Sequence, residues 1–167
     1  PPACWADPSQ GPPAHVTGVG SGHHDLLARK VPPVPDRMTY TSDEVEDCRD
    51  NADSLLAAWG ANEVEDATLE SLVFSQAVVV LDAWFIHRSR DLEGTDGNPM
   101  NEVRVVAESV VANDGIVRVE GPISWDPQRT VLGLAVGDEV EVTADGYERL
   151  AAAYLAAIEA TYGERSG

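Results

Sequence analysis

The chain has 167 residues, 43% of them hydrophobic and 24% charged, a size and balance that bury one core without disulfides or a structural metal. Its 29 acids against 11 bases leave a net charge of −18. That excess argues against nucleic acid or an anionic bilayer as partner and favours cations and basic proteins. No run approaches the eighteen apolar residues of a membrane span, and no basic-then-apolar leader opens the chain, so the expectation is a cytoplasmic, soluble protein.

Residues 1–37 are dense in proline and glycine and show no sustained periodicity, the composition of a flexible arm. Their three acids and three bases cancel, so the imbalance sits in residues 38–167, one acidic globular domain with 26 acids, eight arginines and no lysine. His23 and His24, adjacent in a Gly/Ser setting, read as solvated rather than metal-binding. Cys4 and Cys48 form neither a disulfide framework nor a zinc spacing, and Cys48 reads as packed and reduced.

TSDEVEDCRDNADSLLAAWG opens with the capping box Thr41-x-x-Glu44, aligns Val45, Cys48, Ala52, Leu55 and Trp59 on one face, and stops at Gly60. From about Asp66 a second helix carries Leu69, Leu72, Val73, Gln76, Val80, Ala83, Trp84 and His87 along the face expected to turn inward. After a loop, Asn98-Pro99 supplies an N-cap and an N1 proline for a third helix, whose stripe is Met100, Val103, Ala107, Val110 and Val111. IVRVE, TVLGLAV and EVEVT, separated by Gly121-Pro122, Asp126-Pro127 and Gly137-Asp138, then predict two or three short strands. Thr143 caps a last helix with the stripe Tyr147, Leu150, Tyr154, Leu155, Ile158 and Tyr162. The expected fold is α+β and α-rich, four helices around one core with a small β element before the last.

The loop DLEGTDGNPMNE, Asp91 to Glu102, has the length of an EF-hand loop, with Asp91, Glu93, Thr95 and Glu102 at liganding positions 1, 3, 5 and 12. Asp96 stands where that loop needs its glycine, and Pro99 starts a helix too early. Asp96-Gly97 as a turn, Asn98 as a cap and Pro99 as a helix start account for every residue without a metal.

WFIHRSRDLEGTDGNPMNEVRVV resembles the pattern x-His-Arg-x-Arg, Gly-x-Asp-Gly-Asn-Pro, Asn-Glu-Val-Arg of a family of small uncharacterised actinobacterial proteins. GLAVGDEVEVTADGYERLAAAYLAAIE resembles their C-terminal portion, so the likeness spans about residues 55–162. It implies a shared fold and no particular activity. Thr95 stands where those proteins often carry lysine.

His87, the only histidine of residues 38–167, admits two readings. It is a buried imidazole donating to a loop carbonyl, which its place on the apolar stripe favours, or a general base oriented by Glu102 or Asp96. Arg88, Arg90 and Arg104 bracket the loop; the first two suit a helix C-terminus, and Arg104 has Glu108 or Asp91 within reach. With Asp96, Asn98, Asn101 and Glu102 these residues make the candidate binding site, and an anion pocket is its chemical alternative. No phosphate loop, nucleophile elbow or zinc constellation accompanies them, and no cofactor is implied. The resulting expectation is a non-catalytic binding or interaction domain for a basic protein or a small anionic ligand. A small-molecule enzyme or sensor at His87 and an acidic nucleic-acid mimic are the alternatives.

Overall fold

The computed structural model describes residues 36–62 and 65–164. The chain divides between Pro33 and Val34, and the second unit holds every described element. Most of the arm, with Cys4, His23 and His24, lies outside the described residues. Arg37, grouped with the arm by composition, is tied into the second unit: its N–H donates to the His87 carbonyl at 2.7 Å and its own carbonyl accepts from Ser89 N–H at 3.0 Å.

Four α-helices make the frame among the described residues: α1 Ser42–Gly60, α2 Ala67–Trp84, α3 Pro99–Ala112 and α4 Ala144–Tyr162. Each begins at the N-cap that its sequence supplies. Thr41 and Glu44 form the reciprocal capping box, Asp66 accepts from Thr68 and Leu69, Asn98 from Met100 and Asn101, and Thr143 from Gly146. Each cap satisfies backbone donors that have no intrahelical partner. α2 packs most extensively on α3 and α1 on α4, while α4 reaches α2 and α3 as well.

The core is built from the stripes of α1, α3 and α4 together with an aromatic chain. Tyr40 meets Phe85 edge-on at 4.9 Å between ring centroids, and Trp59 meets Phe74 at 5.5 Å. All six stripe residues predicted for α4 are buried. Val111, predicted inward on α3, is 70% exposed.

The expected β element is absent among the described residues, and the fold is helical rather than α+β. Ile116 pairs with Glu139 in a single antiparallel bridge, bracketed by the Val117 N–H to Asp138 carbonyl and Val140 N–H to Gly115 carbonyl bonds. A ladder does not extend from it because the next donor, Arg118 N–H, goes to the Ser109 hydroxyl at 3.2 Å, and the other expected strand commits its donors elsewhere. Val131 and Leu132 N–H donate to the Glu102 carboxylate, Ala135 N–H donates to Asp138, and Pro122 and Pro127 have no N–H to give. The segment nevertheless alternates as a strand would, burying Val117, Ile123, Val140 and Val142 against the helices. Its period-2 pattern reports burial on one side, not strand pairing.

α2 presents a different face from the expected one. Phe74, Ser75, Ala77, Val78 and Leu81 are buried, whereas Leu69, Leu72, Val80 and Trp84 are each 40–59% exposed and Gln76 and Ala83 are exposed. Apolar residues surround the whole circumference of this helix, so periodicity does not choose a side. Ser75 joins the buried side through its hydroxyl, which donates to the Val140 carbonyl at 3.4 Å. By length and composition α2 also suffices to cross a membrane, with a mean hydropathy of 1.3 over 18 residues. Its inner residues are part of the core.

Candidate functional site

α2 ends at Trp84, earlier than its apolar run suggests, and the chain passes through Phe85 to a single 3-10 turn at Arg90–Leu92 before α3. This early stop decides what the candidate residues do. His87 falls outside any helix and is exposed, so neither the buried-imidazole reading nor the α2 stripe holds. Its neighbour Arg88 is buried instead, with no side-chain exposure.

Arg88 is the centre of an ionic cluster. Its Nε donates to Glu93 at 2.6 Å and its Nη2 to Asp82 at 2.7 Å. Its Nη1 donates to the backbone carbonyls of Asp82 and Phe85, so the guanidinium caps the α2 terminus from beyond its end. Burial opposes the charge, but Tyr154, Asp82 and Glu93 together more than offset it, and the Arg88 pKa rises above its ordinary value. Arg90 bridges the same two acids at 3.3 and 3.2 Å. Arg104 lies 3.4 Å from the second oxygen of Glu93, a contact of charge only, since that oxygen makes no hydrogen bond. Arg104 therefore reaches Glu93, and neither Glu108 nor Asp91.

The polar loop residues organise the loop itself. Asn98 caps α3 with its oxygen while its Nδ2 donates to the Glu93 carbonyl and to Asp96 at 2.7 Å. The Asn98 bond, with smaller help from backbone donors, lowers the Asp96 pKa. Asn101, fully buried, accepts from Gly97 N–H and donates to the Gly94 carbonyl. Gly97 has φ +78° and lies so close to the Ser124 carbonyl that a Cβ would stand 2.5 Å from it. Glycine is required twice there, for its conformation and for its missing side chain.

Glu102 faces away from this cluster. Buried in the first turns of α3, it accepts from Val131 N–H at 2.7 Å and Leu132 N–H at 2.8 Å. Burial raises its pKa, and the two N–H donors oppose the rise. Glu93 and Glu102, which an EF-hand would aim at one ion, point at different partners. No metal-binding cluster of His, Cys, Asp or Glu occurs among the described residues.

The eight candidate residues thus separate into four groups. Arg88, Arg90 and Arg104 converge on Glu93; Asp96, Asn98 and Asn101 shape the loop; Glu102 pins the 131–132 backbone; and His87 stands apart on the surface. Of the acids that organise the first group, Asp82 is not singled out by the sequence, and Glu93 stands out there only as position 3 of the loop. Their spacing to Arg88, six residues before and five after, is not a helical one, so no periodicity exposes it.

Comparison with family models, curated proteins and solved structures returns no match to this chain.

Proposed function

We propose that this chain is a soluble, cytoplasmic, non-catalytic protein-interaction domain, and that its docking surface is the outer face of α2. The observation that carries this reading is the position of α2's apolar side chains. Leu69, Leu72, Val80 and Trp84 stay open to solvent although their helix is anchored along its opposite side. An apolar strip of this extent on a domain with a formed core marks a contact surface.

The arginines support the same conclusion from the other side. An anion pocket needs a guanidinium free to fork onto a ligand, and Arg88, Arg90 and Arg104 each already face a carboxylate. A histidine base needs an orienting carboxylate, and Glu102 is committed to two backbone donors 29 and 30 residues away.

A photo-reactive amino acid placed at Val80, and separately at the exposed Ala152 of α4, tests the reading in the producing cell. Illumination is expected to give a protein adduct of defined mass from position 80, lost on Leu72→Glu, and none from position 152. Equal labelling at both positions, or none at 80, refutes it. So does turnover of a hydrolase or transferase substrate panel at enzyme-like rates that His87→Ala abolishes.

A further inference from the structure

Resting on that reading, we propose that the occupant of the α2 face is a second copy of this chain, paired antiparallel about a twofold axis at Gln76.

The face has the symmetry such a pair requires. At 100° per residue, Leu69, Leu72, Gln76, Val80 and Ala83 fall within 40° of the Gln76 direction, which is opposite the buried Phe74 and Val78. Gln76 lies midway in sequence between Leu72 and Val80 and between Leu69 and Ala83. An antiparallel pair centred there sets Leu72 of one copy on Val80 of the other, and Leu69 on Ala83. Each residue thus meets the counterpart that a self-complementary interface demands. The exposed Gln76 amide is itself self-complementary, offering one copy's N–H to the other's carbonyl across the axis. Antiparallel pairing also sets opposite helix-dipole ends side by side.

Charge restricts where a second copy can approach. At −18, two copies repel across most of their surfaces. Along α2 the only charged residues are Glu70 and Asp82. Glu70 accepts from Ala144 N–H at 2.9 Å, and Asp82 is paired with Arg88 and Arg90. The strip itself therefore carries no charged side chain, and the exposed carboxylates nearest it, Glu139 and Glu141, line one edge beside Leu72 and Gln76.

The area fits as well. Leu69, Leu72, Val80, Trp84 and Ile86, each 40–60% exposed, leave an apolar surface on the order of 500 Å², the upper range for a monomer's largest patch. Two such faces with their polar margins bury on the order of 1,000 Å² or more, the size that a specific interface requires. Inserting α2 in a bilayer would instead pull Phe74, Val78 and Leu81 out of the core.

Sedimentation equilibrium of the full chain is expected to give twice the 17.8 kDa monomer mass at concentrations of about 50 µM and above, where an interface of this modest size is populated. Val80→Glu and Leu72→Lys should each sediment as monomers with melting temperatures near the parent's, because both sites face solvent. Mixing the two should restore a dimer, since the proposed register sets Lys on Glu. If either variant fails to fold, Gln76→Cys in a Cys4→Ser background treated with a short bis-maleimide should give a covalent dimer that Cys4→Ser alone does not.

A monomeric parent at every concentration overturns the dimer, and so does a dimer unaffected by both substitutions. A parent that stays monomeric and co-floats with phosphatidylcholine vesicles reassigns the face to a bilayer and overturns it too. The two proposals fail separately: a monomer that still gives the position-80 adduct in cells retains an interaction surface and loses only the second copy.

Discussion

Replacing Arg88 with methionine should be among the most damaging single changes in this domain, and its cost follows from what the guanidinium touches. The substitution keeps the apolar stem and removes the charge that faces Glu93, a side chain with no solvent exposure. Removing one member of a buried pair typically costs about 3–5 kcal/mol, because the partner remains desolvated and unpaired. Arg90 and Arg104 still lie 3.2 and 3.4 Å from Glu93, which places this part near the lower end. The Asp82 and Phe85 carbonyls also lose a donor, though Phe85 keeps the Arg88 N–H, adding about 1 kcal/mol. The total of about 4 kcal/mol corresponds to a fall of roughly 12–16 °C in melting temperature for a domain of this size. Circular dichroism at 222 nm checks it. The double variant Arg88→Met, Glu93→Leu should lose less than the sum of the two singles by at least about 2 kcal/mol, since the stranded carboxylate is gone and Asp82 keeps Arg90. A loss under 1 kcal/mol for Arg88→Met, or strict additivity in the cycle, refutes the reasoning.

Other outcomes follow from the loop and its surroundings. Asn98→Ala removes the α3 cap together with the bonds to Glu93 and Asp96 and should cost about 1–2 kcal/mol, equally in calcium and in EDTA; a calcium-dependent rise in the parent's melting temperature would instead make the loop a metal site. Gly97→Ala combines a positive φ with a backbone clash at Ser124 and should destabilise by more than about 2 kcal/mol in a urea titration; a neutral result would show that the 123–125 segment moves freely. The hydrogen bond from Arg37, aided by Thr41 N–H, holds the Glu44 carboxyl down at about 2. A depressed carboxyl stabilises fully above its unfolded pKa, so this contribution is present above about pH 4.5 and is lost as pH falls through 2. With 38% of the side chain exposed, screening keeps it under about 1 kcal/mol. Glu44→Gln should flatten that acid limb of the melting-temperature profile, and an unchanged limb would remove the pair from the account.

Local chemistry determined much of this fold, because its signals act within one or two turns. The caps Thr41, Asp66, Asn98 and Thr143 satisfy orphan N–H groups three residues away, whatever the rest of the chain does. The stripes of α1 and α4 are narrow enough for one face alone to be buried. Gly97 and Asn98 are legible for the same reason. Where local signals were degenerate, tertiary structure decided. α2 is apolar all round, and its inner face was set by where α3 and the Val140 carbonyl lie. The alternating segments after α3 satisfied the rule for strands, yet Glu102 took the backbone donors of Val131 and Leu132 that a ladder would have used. The early end of α2 depends on Arg88 reaching back to the Asp82 and Phe85 carbonyls, which moves His87 to the surface and its neighbour to the centre of the ion cluster. These outcomes rest on contacts between residues whose spacing follows no helical or strand period, so a reading by periodicity has no means of reaching them.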